Sequence, residues 1–373
     1  MSTLNDLKTN LIGIQEKKER VIDFLDRKGL DAVIIGKPDN FAWFTCGGNN
    51  KVVKSWDTGF SYLIISRSKN ILVSQVMDGS RVLDEELKGL DIEYVPLRWN
   101  DVTREEKISQ IINGMRVLSD IPINGAAYSS SEFYSLHYPF NELEINRIRW
   151  LSQKTEEILK QVAEIIIPGI TEIEIAGIIS GELGKTGIEC DVLLIGSDER
   201  IEKYRHPVPT EKKVKRIVLL HPASRKWGLH VPMSRMLSFG LPGFETVKKF
   251  DAACKIAAGA ISSCRQGEKL LNVLLEQERL FRELGYKDEW EKHYHGGITG
   301  YLLILQAVYS DKDSTISLNQ PHAWFVTITG VKVEELSLTT RNGIEICTTS
   351  GNWPVREYES KGNIYKLPEI LCK

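Results

Sequence analysis

The chain has 373 residues, long for a single domain, and its 48 basic against 50 acidic side chains leave a formal net charge of −2, so it offers no large field to attract nucleic acid or an anionic membrane surface. Apolar residues make up 42% and charged residues 26%, the balance of an ordinary globular protein, and no apolar run approaches the length of a membrane span. The stretch through Lys17-Lys18-Glu19-Arg20 lacks the apolar core of a signal peptide, and the six cysteines are scattered without a C-x-x-C pair, so the expectation is a cytoplasmic protein without a disulfide framework or zinc knot.

In chain order, apolar Val21, Ile22, Phe24 and Leu25 predict a helix over residues 19–28. The run Ala32-Val33-Ile34-Ile35 reads as a short strand that ends in a turn, Gly36-Lys37-Pro38-Asp39-Asn40. Further strands are expected over 61–66, 70–74 and 92–95, with helices over 77–87 and 104–115, an α/β pattern. The polar stretch Tyr128-Ser129-Ser130-Ser131-Glu132 loosens the chain before a long amphipathic helix over 142–166, and the domain boundary is placed there, giving domains 1–140 and 141–373. Pro168-Gly169-Ile170 interrupts that helix. The next opens on Thr171-Glu172-Ile173-Glu174, which has capping-box spacing. A strand over 217–220 and helices over 244–263 and 268–284 make the second half α+β. No internal repeat or low-complexity tract is present.

Several segments then fall in the order of one family. Ile166 to Ala176, with Pro168-Gly169-Ile170-Thr171-Glu172 at its centre, resembles the "pGmtE.Ela" junction of the M24 family, which includes methionine aminopeptidase, aminopeptidase P, prolidase and creatinase. Tyr204-Arg205-His206-Pro207 resembles its substrate-side histidine motif, Ser234 to Gly240 its "TRT...G" strand, and His293-Tyr294-His295-Gly296-Gly297-Ile298-Thr299-Gly300 its H-x-x-G-H-x-x-G stretch. Gly330-Val331-Lys332-Val333-Glu334-Glu335 resembles the "G-x-R-x-E-D" strand, and residues 343–354 the closing segment. Leu30 to Ile35 and Phe44 to Gly47 are similar to the creatinase-type N-terminal domain. The resemblance implies a creatinase-like α/β domain followed by a pita-bread domain.

In the family's metallopeptidases, two cations sit on two aspartates, a histidine and two glutamates, since paired hydrolytic dications need several anionic oxygens. The resemblance carries those positions onto His221, Pro232, Gly297, Ile328 and Glu334. Proline, glycine and isoleucine side chains offer no lone pair, so no metal pair and no cofactor are expected. His293 and His295, at i and i+2, are candidates for one face of a strand and a relocated mononuclear site with His221 or His230. The alternative is that these are hydrogen-bonded pocket or surface histidines.

Creatinase hydrolyses a C–N bond without metal in this fold, and the resemblance places its proton-shuttling histidine at His206. An imidazole suits that role because it accepts and donates protons near neutrality. Glu334, freed from metal, is the second candidate catalytic group. The alternative for it is an internal salt bridge with Arg235 or Lys332, and Glu335 is expected on the opposite face of the strand. His293, Lys332 and Arg235 are candidate substrate-binding residues, Arg235 also reading as structural. Creatinase-like dimers lay one N-terminal domain over the partner's pocket, which makes the polar loop Gly47 to Trp56, and Trp56 in particular, a further candidate. The expected partners are a small-molecule substrate and a second copy of the chain, with no nucleic acid and no membrane. Three functions fit: metal-independent C–N bond cleavage on a small polar molecule, a non-catalytic binding or scaffold protein, and an Xaa-Pro peptidase with an atypical metal site.

Overall fold

The computed structural model describes residues 6–304 and 314–373. The chain divides into two units, Met1–Asn146 with Trp227–Leu229, and Arg147–Lys226 with His230–Lys373. The division falls inside the helix Glu142–Ile165, a few residues past the sequence-based boundary.

In the first unit a helix, Leu7–Lys28, starts on the Asp6 carboxylate, which accepts from the Thr9 amide, and stops at Gly29 with φ of +64°. A left-handed residue of this kind is the usual helix terminator because only glycine adopts it without a Cβ clash. The six-stranded sheet runs Glu93–Leu97, Asn70–Gln75, Ser61–Ser66, Ala32–Ile35, Val117–Ser119, Ala127–Tyr128. Ala32–Ile35 is antiparallel to one neighbour and parallel to the other, and all four residues are buried. Burial on both faces explains why it reads as a continuous apolar run rather than an alternating one.

The segment read as a turn after Ile35 is instead a helix, Pro38–Phe44, with every residue buried. Proline at a first helical position loses no hydrogen bond. The Asp120 carboxylate accepts from the Gly36 and Lys37 amides and the Asn40 side chain. The helix expected over 77–87 is an α-helical turn, Val76–Arg81, running into a π-helical one, Val82–Glu86. The polar stretch before the long helix contains a short helix, Ser130–Tyr134.

In the second unit Thr171 and Glu174 form the capping box read from the sequence and open the helix Glu172–Lys185. Leu371–Cys372, Arg235–Ser238, Ile217–Lys226 and Glu189–Ser197 lie side by side in a five-stranded sheet, with Leu229–Pro232 paired to Ile217–Lys226. A four-stranded sheet runs Gly296–Ile298, Pro321–Ile328, Val331–Thr340, Gly343–Ile346. The helix Phe244–Ser263 packs on the two central strands of that sheet and on the helix Leu270–Glu283. A two-residue loop, Thr329-Gly330, joins Pro321–Ile328 to Val331–Thr340, with Gly330 at φ of +98°. This loop fixes the register that sets Phe325 opposite Glu334. Among the described residues no helix is long and apolar enough to cross a membrane.

Candidate active site

Strand geometry assembles most of a cavity of about 160 Å³ in the second unit. Side chains two apart on a strand share a face. Accordingly Val192 and Leu194, His221 and Ala223, and Lys332 and Glu334 each enter the cavity as a pair from their respective strands. Phe325 joins from the neighbouring strand. His206 enters from the loop after the short helix Glu199–Lys203, and His293 and Tyr294 from the segment after a 3-10 turn, Lys287–Lys292.

His206 and His293 meet at an Nε2 to Nε2 distance of 3.1 Å. The His293 Nδ1 lies against the Tyr294 carbonyl. Burial, followed by the Lys332 charge, lowers the pKa of both, taking His293 to about 3. Two neutral imidazoles carry one N–H each, and the carbonyl fixes which. His293 donates from Nδ1, so its Nε2 accepts from His206 Nε2–H. Among the described residues no group then occupies the His206 Nδ1 lone pair, which can take a proton.

Among the described residues the acidic group of the cavity is Glu334, with Oε2 3.2 Å from the Lys332 ammonium and 3.4 Å from His221 Nδ1. Burial raises its pKa and Lys332 opposes the shift. Burial lowers His221 well below the ordinary imidazole value, with Lys332 adding to the effect, and no hydrogen bond reaches its Nδ1 among the described residues. Ser234 holds the strand in place, its hydroxyl accepting from the Glu334 amide at 2.8 Å and donating to the Lys332 carbonyl at 3.2 Å. Of the two bridges anticipated for Glu334, the one with Lys332 forms.

Arg235 does not reach the cavity. Its guanidinium donates to Glu335 at 2.6 Å, to Glu156 at 2.7 Å and to the Ser234 and Thr348 carbonyls, with every charged side chain wholly buried. The substrate-binding expectation for Arg235 is thereby replaced by a structural one: a planar fork has been matched with two carboxylates inside the core. Glu335, one residue from Glu334, faces away from the cavity as strand alternation requires. Trp56 belongs to the other unit, is 47% exposed and stacks on Phe60.

His293 and His295 do not share a strand face, because the strand begins only at Gly296. His295 stacks on Trp290 at 3.8 Å and its Nε2 lies 2.8 Å from the Trp290 carbonyl, whereas His293 turns to His206. His230 is held between Asp191 and the Gly300 carbonyl.

The five positions carried over for a metal pair divide similarly. His221, Pro232 and Glu334 line the cavity. Gly297 pairs with Ala323 inside the sheet, and Ile328 sits against Val331 at the hairpin end, outside the lining. The residue facing Glu334 across the hairpin is Phe325, which has no donor atom. One carboxylate, already paired with an ammonium, does not offset two divalent charges, so this donor set does not fit a dinuclear centre. Among the described residues no group of three or more His, Cys, Asp or Glu is arranged to hold a metal ion.

An α/β domain followed by a domain of paired sheets is the architecture of the pita-bread proteins of the M24 family. The chain has that fold. No family model matches the sequence. An uncharacterized peptidase of Staphylococcus haemolyticus is 22% identical over 355 residues, covering 89% of this chain and 98% of that one. Among solved structures, the Xaa-Pro dipeptidase from Bacillus anthracis matches with a TM-score of 0.73 at 14% identity, over 96% of this chain and 100% of its own. The N-terminal domain of the FACT complex subunit SPT16 from Cicer arietinum matches with a TM-score of 0.68 at 11% identity, over 93% of this chain and 97% of its own.

Proposed function

We propose that the chain is a hydrolase that cleaves an amide- or amidine-type C–N bond in a small polar substrate without a metal pair, in the manner of creatinase rather than of a metallopeptidase. The observation that carries this reading is the His206–His293 pair on a small cavity whose wall bears Lys332 and Glu334. Water attacks the substrate carbon as His206 Nδ1 takes its proton, and the electrons of the polarised double bond move onto the oxygen or nitrogen facing the Lys332 ammonium. Collapse breaks the C–N bond, and the proton on His206 passes to the departing nitrogen. Such proton transfer supplies on the order of 10²–10⁴ in rate. Glu334 orients the water or a cationic group of the substrate. A homodimer, in which Trp56 reaches a partner's pocket, belongs to the same reading.

The test is turnover of a panel of small guanidino acids, amides and Xaa-Pro dipeptides, with and without a strong chelator. The expected result is hydrolysis that chelation leaves unchanged and that His206→Ala abolishes. Full turnover by His206→Ala would sink the assigned role. Metal-dependent Xaa-Pro cleavage would favour an atypical peptidase, the reading that the names of the similar proteins support. No turnover, with the cavity binding no small molecule, would favour a scaffold protein, for which the likeness to the SPT16 domain speaks.

A further inference from the structure

The cavity's polar residues come from four separate segments, and one carboxylate outside the cavity ties together the three that carry His206, His293 and the Lys332–Glu334 pair. Glu289 is 9% exposed and lies in the 3-10 turn that leads into His293. It takes the guanidinium of Arg205, the residue before His206. It also accepts from the amide of Thr329 at 3.0 Å and from its hydroxyl at 2.9 Å, and Thr329 opens the two-residue loop before Lys332 and Glu334. Arg205 in turn donates to the Thr329 hydroxyl at 3.1 Å, closing a three-membered ring of contacts. Lys292 completes the set at 2.8 Å, on the residue next to His293. Four donors, two of them cationic, exceed what a surface carboxylate ordinarily gathers, and charge-assisted bonds of this kind fix geometry as well as add energy.

We propose that Glu289 is a positioning residue for the two-histidine relay: through Arg205 and Thr329 it sets the distance between His206, His293 and the Lys332–Glu334 strand. Its consequence for turnover rests on the hydrolase reading above, whereas its consequence for the imidazoles does not. Without the carboxylate, Arg205 and Lys292 repel each other, the His206 loop moves off the hairpin and the Nε2 to Nε2 contact opens.

The experiment is nitrogen-15 NMR of the imidazoles in the full-length protein across pH, comparing Glu289→Gln with the unsubstituted chain. Expected are loss of the protonated-Nε2 signature of His206 and movement of its titration toward the ordinary value of about 6.5. Arg149→Gln, which breaks an ion pair with Glu345 elsewhere in the unit, should leave both signals in place and so separates positioning from general loosening. If Glu289→Gln does not fold, Thr329→Val removes the bridging hydroxyl without changing charge, and the same displacement of His206 is expected. A folded Glu289→Gln, or in its place Thr329→Val, with both imidazole signatures unchanged overturns the proposal. Altered imidazoles in a protein that turns over nothing leave it standing and count against the hydrolase reading instead.

Discussion

Replacing Arg235 with methionine would expose what the buried ion cluster contributes. Methionine fills most of the same volume but leaves Glu156 and Glu335, both wholly buried, without their cation. Glu156 keeps the Ser350 and Asn352 amides and Glu335 keeps Thr348, donors that do not neutralise charge. Removing one partner of a buried pair costs about 3–5 kcal/mol, a large part of the ~5–15 kcal/mol by which a domain is stable. The cost should depend on pH. Burial opposes the charge on Arg235, but Glu335 and Glu156 more than offset this and hold the guanidinium protonated. Burial pushes Glu335 up to about 7 even with Arg235 pulling it down. Without the arginine Glu335 should titrate higher still. A carboxyl whose folded pKa exceeds its unfolded value takes up a proton on folding, so stability is fully present below the unfolded value and is lost as pH rises through the folded one. Glu335 is largely protonated below about 7 with or without the arginine, so the deficit of Arg235→Met should be smallest below pH 7 and grow toward pH 8 and above, by up to ~1.4 kcal/mol per pH unit. Urea denaturation at several pH values measures it. A deficit under ~1 kcal/mol at pH 8, or one that ignores pH, would refute the reasoning. Loss of ligand binding at unchanged stability would return Arg235 to the substrate.

Two further outcomes follow from the geometry. Asp120 is pushed up to about 6 by burial, despite accepting from Gly36, Asn40 and Lys37. Its contribution to stability should thus fall as pH rises from about 4 through 6, and Asp120→Asn should flatten that slope in a thermal-melt series while lowering the melting temperature through the weakened bonds to the Gly36 and Lys37 amides and the Asn40 side chain. A Cβ added at Gly196 would lie 2.5 Å from the Pro207 ring, which cannot swing aside as a flexible chain would. Gly196→Ala should accordingly destabilise by about 1–3 kcal/mol and displace the neighbouring His206, detectable as a change in the imidazole titration as well as in the melt.

The sequence carried much of this because its strongest signals are local. The capping box at Thr171 and Glu174 and the buried strand Ala32–Ile35 were legible, as was the opposition of Glu334 and Glu335, since each depends on spacing along one segment. Pro38-Asp39-Asn40 misled because its residues suit a turn and a helix start equally, and the deciding group, Asp120, is eighty residues away. Inside the cavity, Lys332 and Glu334 were reached through the family resemblance, and strand alternation explains why they share a face. Phe325 was also within reach, since a two-residue Thr-Gly loop implies the register that sets it across from Glu334. Tyr294 and Glu289 were not, for their parts depend on where a 3-10 turn delivers the chain. Arg235 stayed open between substrate and structure because motif order says which residue stands on a strand, whereas burial says which way it points. His293 and His295 failed as a pair for a related reason: their spacing has meaning only on a regular strand, and the strand starts one residue later.

The strand Val331–Thr340 divides its tasks by parity. Val331, Val333 and Glu335 are fully buried, and Glu335 moors the strand through Arg235. Lys332 and Glu334 instead present their heads to the cavity. The residues that keep the strand in place are therefore different from those that meet a ligand, although they alternate along the same short stretch of chain. Such a strand can have its chemistry rewritten at every second position while its anchorage stays as it was, which gives a fold a route from one reaction to another, or to none, without passing through an unfolded protein.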